Sequence, residues 1–234
     1  MAFSRVQGPA AHLSTASTNA VAFAGSVTVG NLVVVGITQI YGGNPPRNIT
    51  SVQDSAGNSY SPRVSRHNGA GDCNNDQYSS VITTGGTLTV TVTFAGGAAD
   101  SAVTINEYAA AGAISFDSAN SAEGTTSPAT PGAVNPAGST SLYVATYGDT
   151  GGGTITPDAA FTQRQEIEST GTCPINTHDL FSSGSQNPST TLGAPIGNWV
   201  YSITSFIEAA AGGGITTPPP PKIISQAVHR AASF

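Results

Sequence analysis

The clearest pattern in the chain lies between Thr87 and Phe94, where Leu88, Val90, Val92 and Phe94 alternate with Thr87, Thr89, Thr91 and Thr93. A period of two sends one set into a core and the other towards water, the mark of a half-buried strand. Related runs predict strands over 19–23, 32–41, 49–54, 59–66, 78–83, 101–108, 142–147, 161–168 and 199–207. Gly30-Asn31, Ala56-Gly57-Asn58, Gly85-Gly86, Gly96-Gly97 and Gly151-Gly152-Gly153 supply the positive φ that tight turns between them need. About ten to twelve short strands at this spacing predict an all-β, antiparallel sandwich of jelly-roll or immunoglobulin-like type. Leu88, Val90, Val92, Phe94, Val103 and Ile105 are its expected core.

The features then recur. VTVGNLVVVGI, ITSVQDSAGNSYSPRV, GAGDCNND and INEYAAAG are followed in the same order by VNPAGSTSLYVATYG, ITPDAAFTQRQEI, STGTCPIN and SFIEAAAG. Leu32 then matches Leu142, Tyr60 matches Phe161, Cys73 matches Cys173, and Glu107 matches Glu208. A period this long predicts two duplicated halves rather than a solenoid. The expected organisation is an N-terminal segment 1–18, a first half 19–112, a second half 113–210 and a tail 211–234. Few large aliphatics are available to either half, so one composite sandwich is expected rather than two independent domains.

The tail reads as hinge, spacer and peptide. Gly212 to Gly214 confer freedom, and Pro218, Pro219, Pro220 and Pro221 favour an extended polyproline II rod; neither belongs in a core strand. Ile223, Ile224, Ala227, Val228, Ala231 and Ala232 follow at helical spacing, ending at Phe234, with Lys222 and Arg230 as the only cations. Pro218 to Pro221 with Ile223, Ile224, Val228 and Phe234 are the expected assembly arm, the alternative being a disordered end.

Composition narrows the class. The chain has 27 Ser, 29 Thr and 28 Gly against six Leu and one Lys, which disfavours helices. Seven basic residues, unclustered, face thirteen acidic ones, leaving no footprint for a phosphate backbone, so nucleic-acid binding is not expected. No apolar run approaches the ~20 residues that a membrane-spanning helix needs. Residues 1–17 show no export signal. A surface-type composition without one is expected of a mature fragment, of a protein exported by a signal-free route, or of a particle component assembled in the cytoplasm and freed by lysis. The retained Met1 argues against the first.

Candidate chemistry is sparse. Cys73 and Cys173 lack zinc-ligand spacing and are expected to pair in one disulfide, within the chain or between chains. Either could act as a nucleophile with His67 or His178, but duplicated loops suggest structure first. Glu166 and Glu168 share a strand face in the manner of a glycosidase pair, yet their neighbours mark a solvated face. Four histidines and many serines contain no G-x-S-x-G elbow, and each histidine reads as a polar loop residue. Gly71 to Asp76 offers oxygen ligands without the EF-hand spacing and reads as a polar turn. Trp199, Tyr201, Tyr143 and Tyr147 read as core rather than as a sugar platform. Asn48-Ile49-Thr50 is a glycosylation sequon. No catalytic residue, cofactor or metal is expected.

Through GNLVVVGI, ITSVQDSAGNSY, GGTLTVTVTF, INEYAAAG and NWVYSITSF the chain resembles the β-sandwich structural proteins of tailed-bacteriophage particles and bacterial surfaces, over about residues 19 to 210. The resemblance implies a non-enzymatic virion subunit, a capsid decoration or a tail or fibre component. Its expected partners are copies of itself and other virion proteins. The alternative is a bacterial surface adhesin or carbohydrate-binding module meeting host-surface glycans, and a hydrolase ranks third.

Overall fold

The computed structural model describes residues 3–40, 49–69, 73–95, 100–138, 140–167 and 175–209. Among them the chain is all β: β1 (Ser4–Ser14), β2 (Thr18–Val27), β3 (Leu32–Ile40), β4 (Ile49–Asp54), β5 (Ser61–Asn68), β6 (Cys73–Val81), β7 (Gly86–Phe94), β8 (Asp100–Ala109), β9 (Ile114–Gly124), β10 (Ser141–Asp149), β11 (Ile155–Thr156), β12 (Thr162–Ile167), β13 (Ile175–Ser182), β14 (Thr191–Leu192) and β15 (Trp199–Glu208). Every pairing between them is antiparallel.

Two five-stranded sheets, β1-β8-β3-β6-β5 and β9-β15-β10-β13-β12, face each other at the centre. They have the same strand order, and β3 and β10 are both middle strands. Outside the first sheet lies β2-β7-β4, and outside the second the short pair β11-β14. The run Leu32 to Ile37 follows from this layering. Val33, Val35 and Ile37 enter the core beneath β2-β7-β4, whereas Leu32 and Val34 join Leu142, Val144 and Phe206 between the central sheets. A strand covered on both faces needs no polar alternation.

Leu88, Val90, Val92, Phe94, Val103 and Ile105 all lie in the first core, as expected. The single composite sandwich is a partial description, because each half also packs a core of its own against its outer layer. Where aliphatics are short, the second half substitutes aromatics: Tyr143, Tyr147, Phe161, Trp199 and Tyr201. Each such ring can bury roughly 150–250 Å².

Three long strands escape the sequence pattern. Residues 1–18 are not a separate segment, since β1 forms an edge of the first central sheet and Phe3 is buried. At Gly8, with φ +100°, a Cβ would lie 2.7 Å from the Ile105 carbonyl oxygen, so glycine here permits a tight bulge against β8. Small polar residues in β9 and the buried polar side chains of β13 hide the other two.

The contact between the central sheets is apolar at its ends and hydrogen-bonded in the middle. Thr204 donates to Gln77 Oε1 at 2.7 Å and Ser202 to Asn75 Oδ1 at 2.9 Å, while Asn75 Nδ2 donates to the Thr146 carbonyl at 2.7 Å. Thr104 and Thr177 hydroxyls meet at 2.9 Å. At Gly36 a Cβ would come within 3.0 Å of the hydroxyl of Thr146 on the facing sheet, so glycine here permits the sheets' close approach.

Candidate functional site

Three strands cannot cover five. Because β2 lies against β1 and β8, the outer sheet ends at β4, and among the described residues no strand lies above the outward faces of β6 and β5. A cleft of about 380 Å³ opens there, lined by Ile49 to Gln53 along the free edge of β4, by Gly57 to Tyr60, and by Tyr78. Apart from the bridge between Gln53 and Ser59, that edge makes no strand pairing among the described residues. Its backbone groups are therefore available to a partner.

Hydrogen bonds brace one wall of the cleft. Asp54 accepts from the Ala56 and Asn58 amides at 2.9 and 3.0 Å, from Asn58 Nδ2 at 2.8 Å and from the Tyr60 hydroxyl at 3.1 Å. Asn58 Oδ1 in turn accepts from the Thr83 and Thr84 amides, tying the β4–β5 turn to the one between β6 and β7. Burial first, and then the Asp54 carboxylate, push the Tyr60 hydroxyl well above the usual phenol range. It stays a neutral donor to Asp54. Burial also raises Tyr78, with Asp76 adding to the effect. Asp76 itself is pushed up to about 6 by burial, against the lowering influence of the Ser65 hydrogen bond and of His67. Among the described residues the lining holds no carboxylate, imidazole, thiol or cation. What they offer is a strand edge, two tyrosines, and the side chains of Ser51, Gln53 and Ser59.

A second polar cluster sits where β1 meets β12. Arg164 grips Asp179 at 2.7–2.8 Å, Tyr108 donates to the same carboxylate at 3.0 Å, and Arg5 donates to Asn106 nearby. Asp179 is 1% exposed and spanned by both partners, which makes this cluster a clamp between the central sheets.

The residues singled out by sequence fall in scattered places. Cys73 is buried at the start of β6 beside Ile40 and Val200. Cys173 lies outside the described residues, as do the whole assembly arm Pro218 to Phe234, Glu168 and Asn48. His67 is on the face of the sheet opposite Cys73, 2.5 Å from Asn74 Oδ1, so the two do not approach as nucleophile and base. His178 is not a loop residue. It is fully buried on β13 in the second half's interior, 3.5 Å from the Tyr201 hydroxyl, and burial pulls it down to about 3. Glu166 accepts a 2.6 Å hydrogen bond from Gln163. Cys73 to Asp76 are strand residues rather than a polar turn, and Asn75 serves the central seam. Trp199, Tyr201, Tyr143 and Tyr147 are core, as expected. By strand register the counterpart of Glu107 is Ser205, not Glu208: Val33 pairs with the first and Tyr143 with the second. Glu107 accepts from Gln7, the Thr28 amide and Asn31, a cluster that fastens β1 to the β2–β3 turn.

Sequence reasoning missed the cleft. SAGN reads as a turn, and nothing in it announces that Asp54 and Asn58 brace one wall or that Tyr78 lies beneath an uncovered stretch of sheet.

No protein-family model, curated protein sequence or solved structure matches the chain. Among the described residues no helix is long and apolar enough to cross a membrane, and no group of three or more His, Cys, Asp or Glu could hold a metal ion.

Proposed function

We propose that this chain is a non-enzymatic structural subunit of a virion exterior, a decoration or appendage protein present in many copies and joined to its neighbours through residues 215–234. The observation that carries this reading is the central seam. Gln77 with Thr204, Asn75 with Ser202 and Thr104 with Thr177 bond across it, and the Asn75 and Gln77 amides reach backbone carbonyls of the facing sheet, which ties the two central sheets together. Buried networks of this kind rigidify and specify a unique arrangement, the property a repeated building unit needs. Purified particles should contain the chain in stoichiometric copies; a chain found only on cell envelopes would defeat the virion assignment.

A carbohydrate-binding module is the second reading, favoured by Tyr60 and Tyr78 beside Gln53 and Ser59 in a cleft of a size common for small ligands. A glycan that binds wild type and loses affinity for Tyr78→Ala would establish it.

A further inference from the structure

Among the described residues the outer layer of the first half has three strands over five. β2, β7 and β4 stack over five strands beginning at β1, and the next place in their order, beyond β4, is the cleft above Tyr60 and Tyr78. Anything that occupies it as a strand gains the backbone of Ile49 to Val52, which has no partner on this side among the described residues, and covers the flank of the first core, to which Ile49 and Tyr78 belong as partly buried members.

We propose that the cleft along β4 receives residues 222–228 of a second copy of this chain as an added fourth strand. The proposal rests on the assembly reading above and names the surface that the arm would meet. Four β4 residues, Ile49 to Val52, present about 13 Å of edge at ~3.3 Å per residue, which a seven-residue strand spans. In KIISQAV the period of two places Ile224 and Val228 on one face with Gln226 between them, and that face covers the two tyrosines. The same segment fits helical spacing when taken with Ala231 and Ala232, but a free strand edge selects the extended form. A second copy is the donor because of where the chain leaves the fold. β15 ends at Glu208, paired with Ile114 in the second central sheet, and the Ala209 amide bonds the Ala113 carbonyl. The cleft lies beyond the other central sheet, on its far face. Gly212 to Gly214 and the four prolines, about 12 Å long as a polyproline II rod, suit a reach outward.

The test mixes two full-length variants, Ser51→Cys and Ser225→Cys, under mild oxidation. A disulfide-linked dimer in the mixture, absent when either variant is oxidised alone and lost when Ile224→Asp is added to the Ser225→Cys chain, is the expected result. No linked dimer in the mixture would overturn the proposal. So would a link that forms only when both cysteines are in one chain and stays within it. As a second readout, exchange at the Ile49 to Val52 amides should be slower in assembled wild type than in Ile224→Asp; equal exchange would count against the added strand. Loss of incorporation into particles on Ile224→Asp without any link to Ser51→Cys would leave the assembly reading standing and remove this cleft as its receptor. Full incorporation of Ile224→Asp would remove both.

Discussion

Arg63 and Arg164 occupy the same position in the two facing sheets: each is the extra residue of a bulge in the outermost strand, β5 or β12. Each guanidinium reaches the equivalent place on the neighbouring strand, Arg63 Nε to the Ser79 hydroxyl at 2.7 Å and Arg164 Nε to Asp179 at 2.8 Å. Their surroundings differ. Arg63 lies over the Phe116 ring, at 4.9 Å from its centroid, whereas Arg164 stands near Arg5 and Tyr108.

This difference orders the cost of removing them. Arg164→Ala leaves the buried Asp179 carboxylate with Tyr108 as its remaining near partner and should destabilise by about 3 kcal/mol. Arg63→Ala gives up one neutral acceptor and a cation–π contact, about 1 kcal/mol. Arg164→Ala combined with Asp179→Ser should recover most of the first loss. Urea unfolding of the three variants measures the order, and equal losses for the two single variants would contradict it.

The seam makes a separate prediction. Thr204→Val removes the hydroxyl that Gln77 Oε1 accepts from and should cost about 1–3 kcal/mol, because the amide stays buried. Gly36→Ala should cost at least as much by forcing the Thr104 and Thr146 side chains away. Thermal melts of both variants at fixed pH provide the check.

In β7, Val90→Asp places a charge in the first core and should unfold the protein, whereas Thr91→Asp on the outer face should be tolerated. Equal stability of the two variants would reverse the register.

Stability should depend on pH in two opposing ways. His178 is held at about 3 against an unfolded 6.5, so the folded state binds fewer protons between these values and stability falls as pH drops below 6.5. Asp76, raised from 3.8 to about 6, acts in reverse, adding stability as pH falls through 6 towards 4. His178→Gln should therefore reduce acid sensitivity between pH 6.5 and 3, and Asp76→Asn should increase it between 6 and 4. Urea midpoints across pH 3.5–7 will show whether the slopes change in these directions.

The alternation of Thr87 to Phe94 and the apolar run from Leu32 marked β7 and β3 because their side chains report burial directly. β13 was hidden because Thr177, His178 and Asp179 are buried polar residues, and no periodicity reveals a partner such as Arg164 or Tyr201 that only the fold supplies. Asn75 fell within a polar-turn reading for the same reason. The cleft was illegible because it arises from a count of strands, three above five, rather than from a motif.

Imaging of the native assembly tests the structural role most directly. The account predicts this four-layer block in regular copies on a particle exterior, with density from a neighbour's tail running along β4. A monodisperse monomer that never enters particles would contradict it.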